Sequence, residues 1–86
     1  MTALRQLFGS VGIFMTLDKL TPGQSGRILM VGGTGALRRR LLDMGLTPGT
    51  QVAIRKTAPL GDPLELELRG YSLTLRKEEA AYIQVE

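Results

Sequence analysis

Two segments in the last third of the chain alternate strictly between apolar and polar positions. Residues 64–68 read Leu-Glu-Leu-Glu-Leu, and residues 71–75 read Tyr-Ser-Leu-Thr-Leu. Such alternation predicts half-buried strands, and a two-residue turn at Arg69-Gly70 pairs them with their apolar residues opposite one another. A slip by one residue would set leucines against polar side chains, so the pattern selects this register. The sequence therefore predicts an antiparallel hairpin with all six apolar side chains, Tyr71 included, on the core face.

The first half of the chain is divided by two Thr-Pro-Gly segments, at residues 21–23 and 47–49. Proline followed by glycine suits a type II turn, which requires a positive φ at its third residue. Strand-like runs follow at residues 27–31 and 51–56. A last short strand is expected at residues 82–85, after a single helical turn.

Between the first two strands, residues 36–44 carry the pattern of one short helix. Thr34 precedes it as the expected N-cap, and Gly45 follows it as the expected stop. Its apolar face comprises three residues at helical spacing: Leu37, Leu41 and Met44. The arginines at 38–40 then point mostly away from this face.

These elements together predict an all-β domain of five short antiparallel strands, with one helix after the first strand. In so short a chain, near-closure of the sheet buries the alternating leucines and limits free strand edges. The expected fold is a small half-open SH3-like barrel over residues 15–86.

Residues 1–14 differ from the rest of the chain. Their apolar residues have helical spacing, in a segment that two glycines weaken: Leu4, Leu7, Phe8 and Val11. The run is too short to cross a bilayer, and no small-residue cleavage site of a signal peptide follows it. We predict a tail outside the folded domain; a membrane-surface or partner-binding helix is the alternative.

The 86-residue chain contains neither cysteine nor histidine. Those absences exclude disulfides, thiol chemistry, imidazole catalysis and the usual structural zinc sites. The close carboxylate pairs, Glu65/Glu67 and Glu78/Glu79, carry no sign of a dedicated metal site. With no catalytic motif either, we predict a protein that is not an enzyme and holds no cofactor.

The net charge of +3 is unevenly distributed. Residues 1–61 carry eight Lys/Arg against two Asp/Glu, whereas residues 62–86 carry three against six. A basic side centred on residues 38–40 permits a second hypothesis, a small barrel that binds nucleic acid or senses a metabolite. The strands lack outward aromatic residues that would stack on bases, which argues against nucleic acid.

The segment at 58–63, Ala-Pro-Leu-Gly-Asp-Pro, is stiffened by its two prolines. Stiffness lowers the ordering cost of binding, which suits a contact loop that holds Leu60 outward. A rigid strand connection with Leu60 tucked over the end of the barrel is the alternative.

Three segments together resemble the FeoA family: Leu-Leu-Asp-Met-Gly-Leu-Thr-Pro-Gly-Thr at 41–50, Ala-Pro-Leu-Gly-Asp-Pro-Leu at 58–64 and Leu-Arg-Lys-Glu-Glu-Ala at 75–80. The resemblance covers about residues 16–86. It implies a small SH3-like protein of bacterial ferrous iron uptake, in a family associated with transition-metal ions. It also implies a cytoplasmic location beside FeoB, a membrane protein with a cytoplasmic GTPase domain, and membrane association only through that partner.

The resemblance further implies that the protein binds the cytoplasmic part of FeoB and modulates its assembly or its GTPase activity. The residues that we expect at the partner interface are Arg38, Arg39, Arg40, Leu60, Asp62 and Pro63. Supply of an arginine to the partner's nucleotide site is one role for the three arginines, and an ordinary solvated helix face is the other. Because the chain lacks histidine and cysteine, metal handling is expected to belong to the partner.

Overall fold

The computed structural model describes residues 15–86, and the predicted tail at residues 1–14 lies outside the described residues. A 3-10 turn, Leu17–Lys19, follows the first strand. The strands and helices are, in chain order, β1 (Met15–Thr16), β2 (Ser25–Val31), α1 (Gly35–Asp43), β3 (Gln51–Thr57), β4 (Leu64–Leu68), β5 (Tyr71–Leu75), α2 (Lys77–Ala80) and β6 (Ile83–Val85).

The strands form one antiparallel open sheet in the order β1-β6-β2-β3-β4-β5. β2 serves two neighbours, because residues 25–27 pair with β3 and residues 28–31 pair with β6 across a register shift. A shift of this kind bends a strand and increases its twist, which curves the sheet around the core. The predicted all-β, SH3-like architecture is confirmed. The strand that the sequence did not predict is β1, whose two residues are too few to show alternation.

The β4–β5 hairpin has the predicted register. Its apolar residues face each other in three pairs: Leu64–Leu75, Leu66–Leu73 and Leu68–Tyr71. Arg69 (φ 50°) and Gly70 (φ 86°) both have positive φ, as a type I′ turn requires. Tyr71 lies on the predicted face, opposite Leu68, but it is not buried in the core, since this residue is 44% exposed. Its hydroxyl donates a hydrogen bond to the Met44 carbonyl oxygen at 2.6 Å, so the ring covers the end of α1 instead.

The helix α1 begins and ends one residue earlier than predicted. Thr34 occupies the N-cap position, but its side chain makes no capping hydrogen bond, so the expected side-chain cap is wrong. Leu41 is fully buried, and the other two members of the predicted apolar face are half-buried against the core. Gly45 follows the helix with φ 98°, in the left-handed region that favours glycine.

Both Thr-Pro-Gly segments form the predicted turns. Gly23 and Gly49 each have φ 93°, and the residue after each glycine donates its backbone N–H to the threonine carbonyl, at 2.9 and 3.1 Å. Each turn leads directly into a strand, the first into β2 and the second into β3.

One core of apolar residues fills the curve of the sheet. Its buried members come from every strand except β1, from the helices and from the segments between them: Leu17, Leu20, Ile28, Val31, Leu41, Leu46, Val52, Ile54, Leu64, Leu66, Leu68, Leu75, Ala80, Ile83 and Val85. Ile83 and Val85 are inward, as predicted.

Candidate partner-binding surface

The short helix α2 connects the two regions that the sequence singled out. The carboxylate of Asp62, in the 58–63 loop, accepts the backbone N–H of Lys77 at 2.8 Å (Oδ1 to N). Two residues further on, the carboxylate of Glu79 accepts a hydrogen bond from the Arg40 guanidinium on α1. The loop and α1 therefore flank the same four-residue helix.

The three consecutive arginines of α1 are not equivalent. The Arg38 Nε donates to the carbonyl oxygen of Val31 at 3.1 Å, which ties the helix to the end of β2. Arg40 forms its ion pair with Glu79. Arg39 is exposed and forms no ion pair or side-chain hydrogen bond with residues 15–86. Of the three, Arg39 has the guanidinium that a partner can engage without breaking a contact within that range.

Glu79 is the most constrained carboxylate of this region. Its side chain is only 16% exposed. It accepts hydrogen bonds from the Arg40 guanidinium and from the backbone N–H of Arg76, whose nitrogen lies 3.0 Å from Oε1. The hydrogen bond from Arg40, and after it that from Arg76, hold the pKa of Glu79 below its ordinary value because both favour the ionised carboxylate. Sequence reasoning missed this residue. The signal was the three-residue spacing from Arg76, which is that of a helix capping pair.

The 58–63 loop presents Leu60 to solvent. Leu60 is 95% exposed. The loop around it is closed by two backbone hydrogen bonds, from Gly61 to the Ala58 carbonyl at 2.7 Å and from Ala58 to the Pro63 carbonyl at 3.1 Å. Of the two readings of this loop, the outward position of Leu60 is the one observed. Pro63 is itself exposed at the end of the loop.

Of the two acidic pairs of the sequence, Glu65 and Glu67 are both engaged in ion pairs, as is Glu79 of the second pair. Arg55 lies 3.5 Å from a carboxylate oxygen of both Glu65 and Glu67, on the outer surface of β3 and β4. Within residues 15–86, no group of three His, Cys, Asp or Glu side chains is placed to hold a metal ion. Over the same range, none of the helices combines the length and the apolar character that crossing a bilayer demands.

The curved antiparallel sheet and the helix after its first long strand define a small SH3-like domain. A family model described as the FeoA domain matches residues 15–86. The chain belongs to the FeoA family, which is linked to ferrous iron transport and is not a known enzyme family.

Three similar proteins illustrate this relationship. A fusion of Fe(2+) transport protein A with the Fe(2+) transporter FeoB, from Porphyromonas gingivalis, is 39% identical over 72 residues. The match covers 84% of this chain but 8% of the fusion protein. The NMR structure of a FeoA-like protein from Clostridium acetobutylicum is 40% identical, with a TM-score of 0.79 over 85% of each chain. The crystal structure of Stenotrophomonas maltophilia FeoA complexed with zinc is 29% identical, with a TM-score of 0.73 over 84% of this chain and 89% of that one.

Proposed function

We propose that this protein binds the cytoplasmic part of a FeoB-type transporter and modulates the assembly or the GTPase activity of that transporter. The observation that carries the proposal is the fusion relative, in which a similar domain and FeoB belong to one chain. Fusion holds the FeoA-like domain and FeoB at a high effective concentration relative to each other. We therefore expect the corresponding proteins to associate where they are separate chains.

The contact surface that we propose is centred on Arg39 and Leu60. Leu60 offers an apolar side chain on a loop that is already closed by hydrogen bonds, so little ordering cost opposes its burial. Arg39 offers a guanidinium that is not engaged elsewhere among the described residues. The other expected interface residues support these two: Arg38 and Arg40 position α1, while Asp62 and Pro63 belong to the loop base.

The binding test compares the affinity of the FeoB-type transporter, in nanodiscs, for the wild-type chain and for two variants. We expect Leu60→Ser and Arg39→Ala each to weaken binding by about tenfold, as contacts near the centre of an interface do. Met30→Ser and Arg27→Ala are matched controls, because Met30 is another exposed apolar residue and Arg27 another exposed arginine. Equal affinities for all five proteins would contradict the proposed surface, and no affinity for the wild type would contradict the function.

A GTPase assay separates modulation by binding from direct participation of an arginine. If an α1 arginine enters the nucleotide site, one of Arg38→Ala, Arg39→Ala and Arg40→Ala lowers stimulated turnover by about a thousandfold at saturating protein. If the arginines form only a contact surface, saturating concentrations of each variant restore the wild-type rate. We expect the second result for Arg38 and Arg40, because both are already engaged within the chain, and Arg39→Ala is the variant that decides between the two roles.

A further inference from the structure

The strand β5 forms one edge of the sheet, and, within residues 15–86, every second residue along it has an unpaired backbone N–H and C=O. Across a two-residue type I′ turn, the residues that flank the turn exchange both of their backbone hydrogen bonds, so Tyr71 bonds to Leu68. By alternation, the N–H and C=O groups of Leu73 and Leu75 also point to β4. Those of Ser72 and Thr74 point away from the sheet, and no residue in the range 15–86 accepts or donates to them.

This edge lacks the features that usually block strand addition. Residues 71–75 contain no charge, no proline and no glycine, and their register with β4 runs without a shift. The β2–β6 and β3–β4 pairings, in contrast, each contain a register shift. Ser72 and Thr74 are exposed and Leu73 is half-buried, so the edge is accessible from solvent.

We infer that β5 is a self-association edge, whose occupant is β5 of a second copy of this chain in antiparallel orientation. The outward groups are symmetric about Leu73: Ser72 lies one residue before it and Thr74 one residue after it. A two-fold axis at Leu73 therefore sets Ser72 opposite Thr74 of the partner subunit, with four backbone hydrogen bonds formed between the outward groups. This register satisfies every free group of both strands, and it places no like charges together within residues 71–75.

The same geometry sets the size and strength of the assembly. The contact is isologous, so it closes at two chains and joins two six-stranded sheets into one of twelve strands. Because the strand is five residues long, the buried area falls in the class of weak, transient contacts. Association is therefore concentration-dependent, and it does not require the proposed transporter partner.

The test is sedimentation equilibrium of the full 86-residue chain at concentrations from about 10 µM to about 1 mM, the range in which weak interfaces associate. The wild type is expected to rise from the 9.4 kDa of one chain towards twice that mass. Ser72→Lys/Thr74→Lys sets two pairs of lysines opposite each other across the axis, so this variant is expected to stay monomeric. Ser72→Lys/Thr74→Gln sets lysine opposite a neutral amide in both pairs and adds no like charge opposite Glu65 or Glu67 of β4, so dimerisation is expected to be retained.

Each variant is checked for folding by circular dichroism. Lysines at positions 72 and 74 face Glu67 and Glu65 of β4 within one chain, which supports the fold of the first variant. Thr74→Pro is the second probe, since it removes one outward N–H without removing a hydrogen bond to β4, and it is expected to abolish the dimer. A wild type that stays monomeric at all concentrations, an assembly of three or more chains, or a dimer that survives both Ser72→Lys/Thr74→Lys and Thr74→Pro would overturn the inference.

Discussion

Gly45 combines a left-handed backbone with close contact, and both features disfavour a side chain. Its φ is 98°, and a Cβ at this position would overlap the hydroxyl of Tyr71. We expect Gly45→Ala to lower the free energy of unfolding by about 3 kcal/mol, of which 1–2 come from the left-handed conformation and the rest from overpacking. Gly49→Ala is the matched control, because Gly49 has φ 93° with open space around it, and only the first part, about 1–2 kcal/mol, is expected there.

Urea unfolding of both variants measures this difference. A Gly45→Ala protein no less stable than Gly49→Ala would show that the Tyr71 hydroxyl moves aside without cost. Combination with Tyr71→Phe provides an internal check: removal of the hydroxyl should recover part of the loss at Gly45, while it forfeits the hydrogen bond to Met44.

Glu79 makes the stability of the protein depend on pH. Its pKa is lowered in the folded state by Arg40 and by the Arg76 backbone N–H, so the ionised form stabilises the fold. This contribution is complete at pH values above 4.5, the ordinary pKa of the group, and is lost as the pH falls through the lower pKa of the folded state. We expect Glu79→Gln to lower the free energy of unfolding by about 1 kcal/mol at pH 7, because the Arg40 side of the pair is partly exposed.

Urea titrations of wild type and Glu79→Gln at several pH values check the sign. The difference between the two proteins should shrink steadily below pH 4.5 and vanish once the wild-type carboxyl is protonated. Glu78→Gln is the control, since Glu78 is the exposed neighbour in the same turn. A difference for Glu79→Gln that is constant from pH 7 to strongly acid solution would contradict the assigned role of its charge.

At the scale of elements, Asp62 holds the 58–63 loop against the start of α2. Its carboxylate accepts the Lys77 N–H, a backbone donor that has no acceptor within a helix that begins there. We expect Asp62→Ala to lower the free energy of unfolding by about 1 kcal/mol, as the loss of a capping side chain does. Asp62→Asn should retain most of the stability because an amide oxygen also accepts.

Hydrogen exchange at the Lys77 amide provides the direct measurement for this contact. Exchange should accelerate in Asp62→Ala and stay close to wild type in Asp62→Asn. Leu60→Ser, in the same loop but fully exposed, should change neither stability nor exchange. Equal protection in Asp62→Ala and wild type would mean that the loop and α2 are not coupled through this carboxylate.

The sequence predicted the elements whose structure is determined by residues that lie close together along the chain. Alternation over residues 64–75 determines the hairpin register because one face is buried, and each Pro-Gly pair determines its turn through the φ of one glycine. No local sequence pattern predicts the register shifts in β2 and β3 or the two-residue strand β1. These features depend on how strands that are distant in the chain pair with one another.

The candidate site likewise contains some features that the sequence predicted and others that only the structure shows. The exposed loop and the run of arginines were visible as local sequence features. The ion pair that joins Arg40 to Glu79 spans 39 positions of the chain, and the contact of Asp62 with Lys77 spans 15. These links arise only when α2 is placed between the loop and α1, and they separate the engaged arginines from Arg39.

At the scale of the whole molecule, residues 15–86 form one sheet of paired strands around one apolar core. The FeoA family model matches the same residues, 15–86, and β1 begins at Met15. We therefore expect a chain that lacks residues 1–14 to fold with a free energy of unfolding within about 0.5 kcal/mol of the full chain, the range of changes away from buried contacts. Urea unfolding of the two proteins, followed by circular dichroism, measures this difference.

A loss of several kcal/mol would place part of the first fourteen residues in the fold and move the predicted domain boundary. Equal stability with weakened binding to the transporter would instead favour the partner-binding helix over a dispensable tail, because the segment would then act only in the complex.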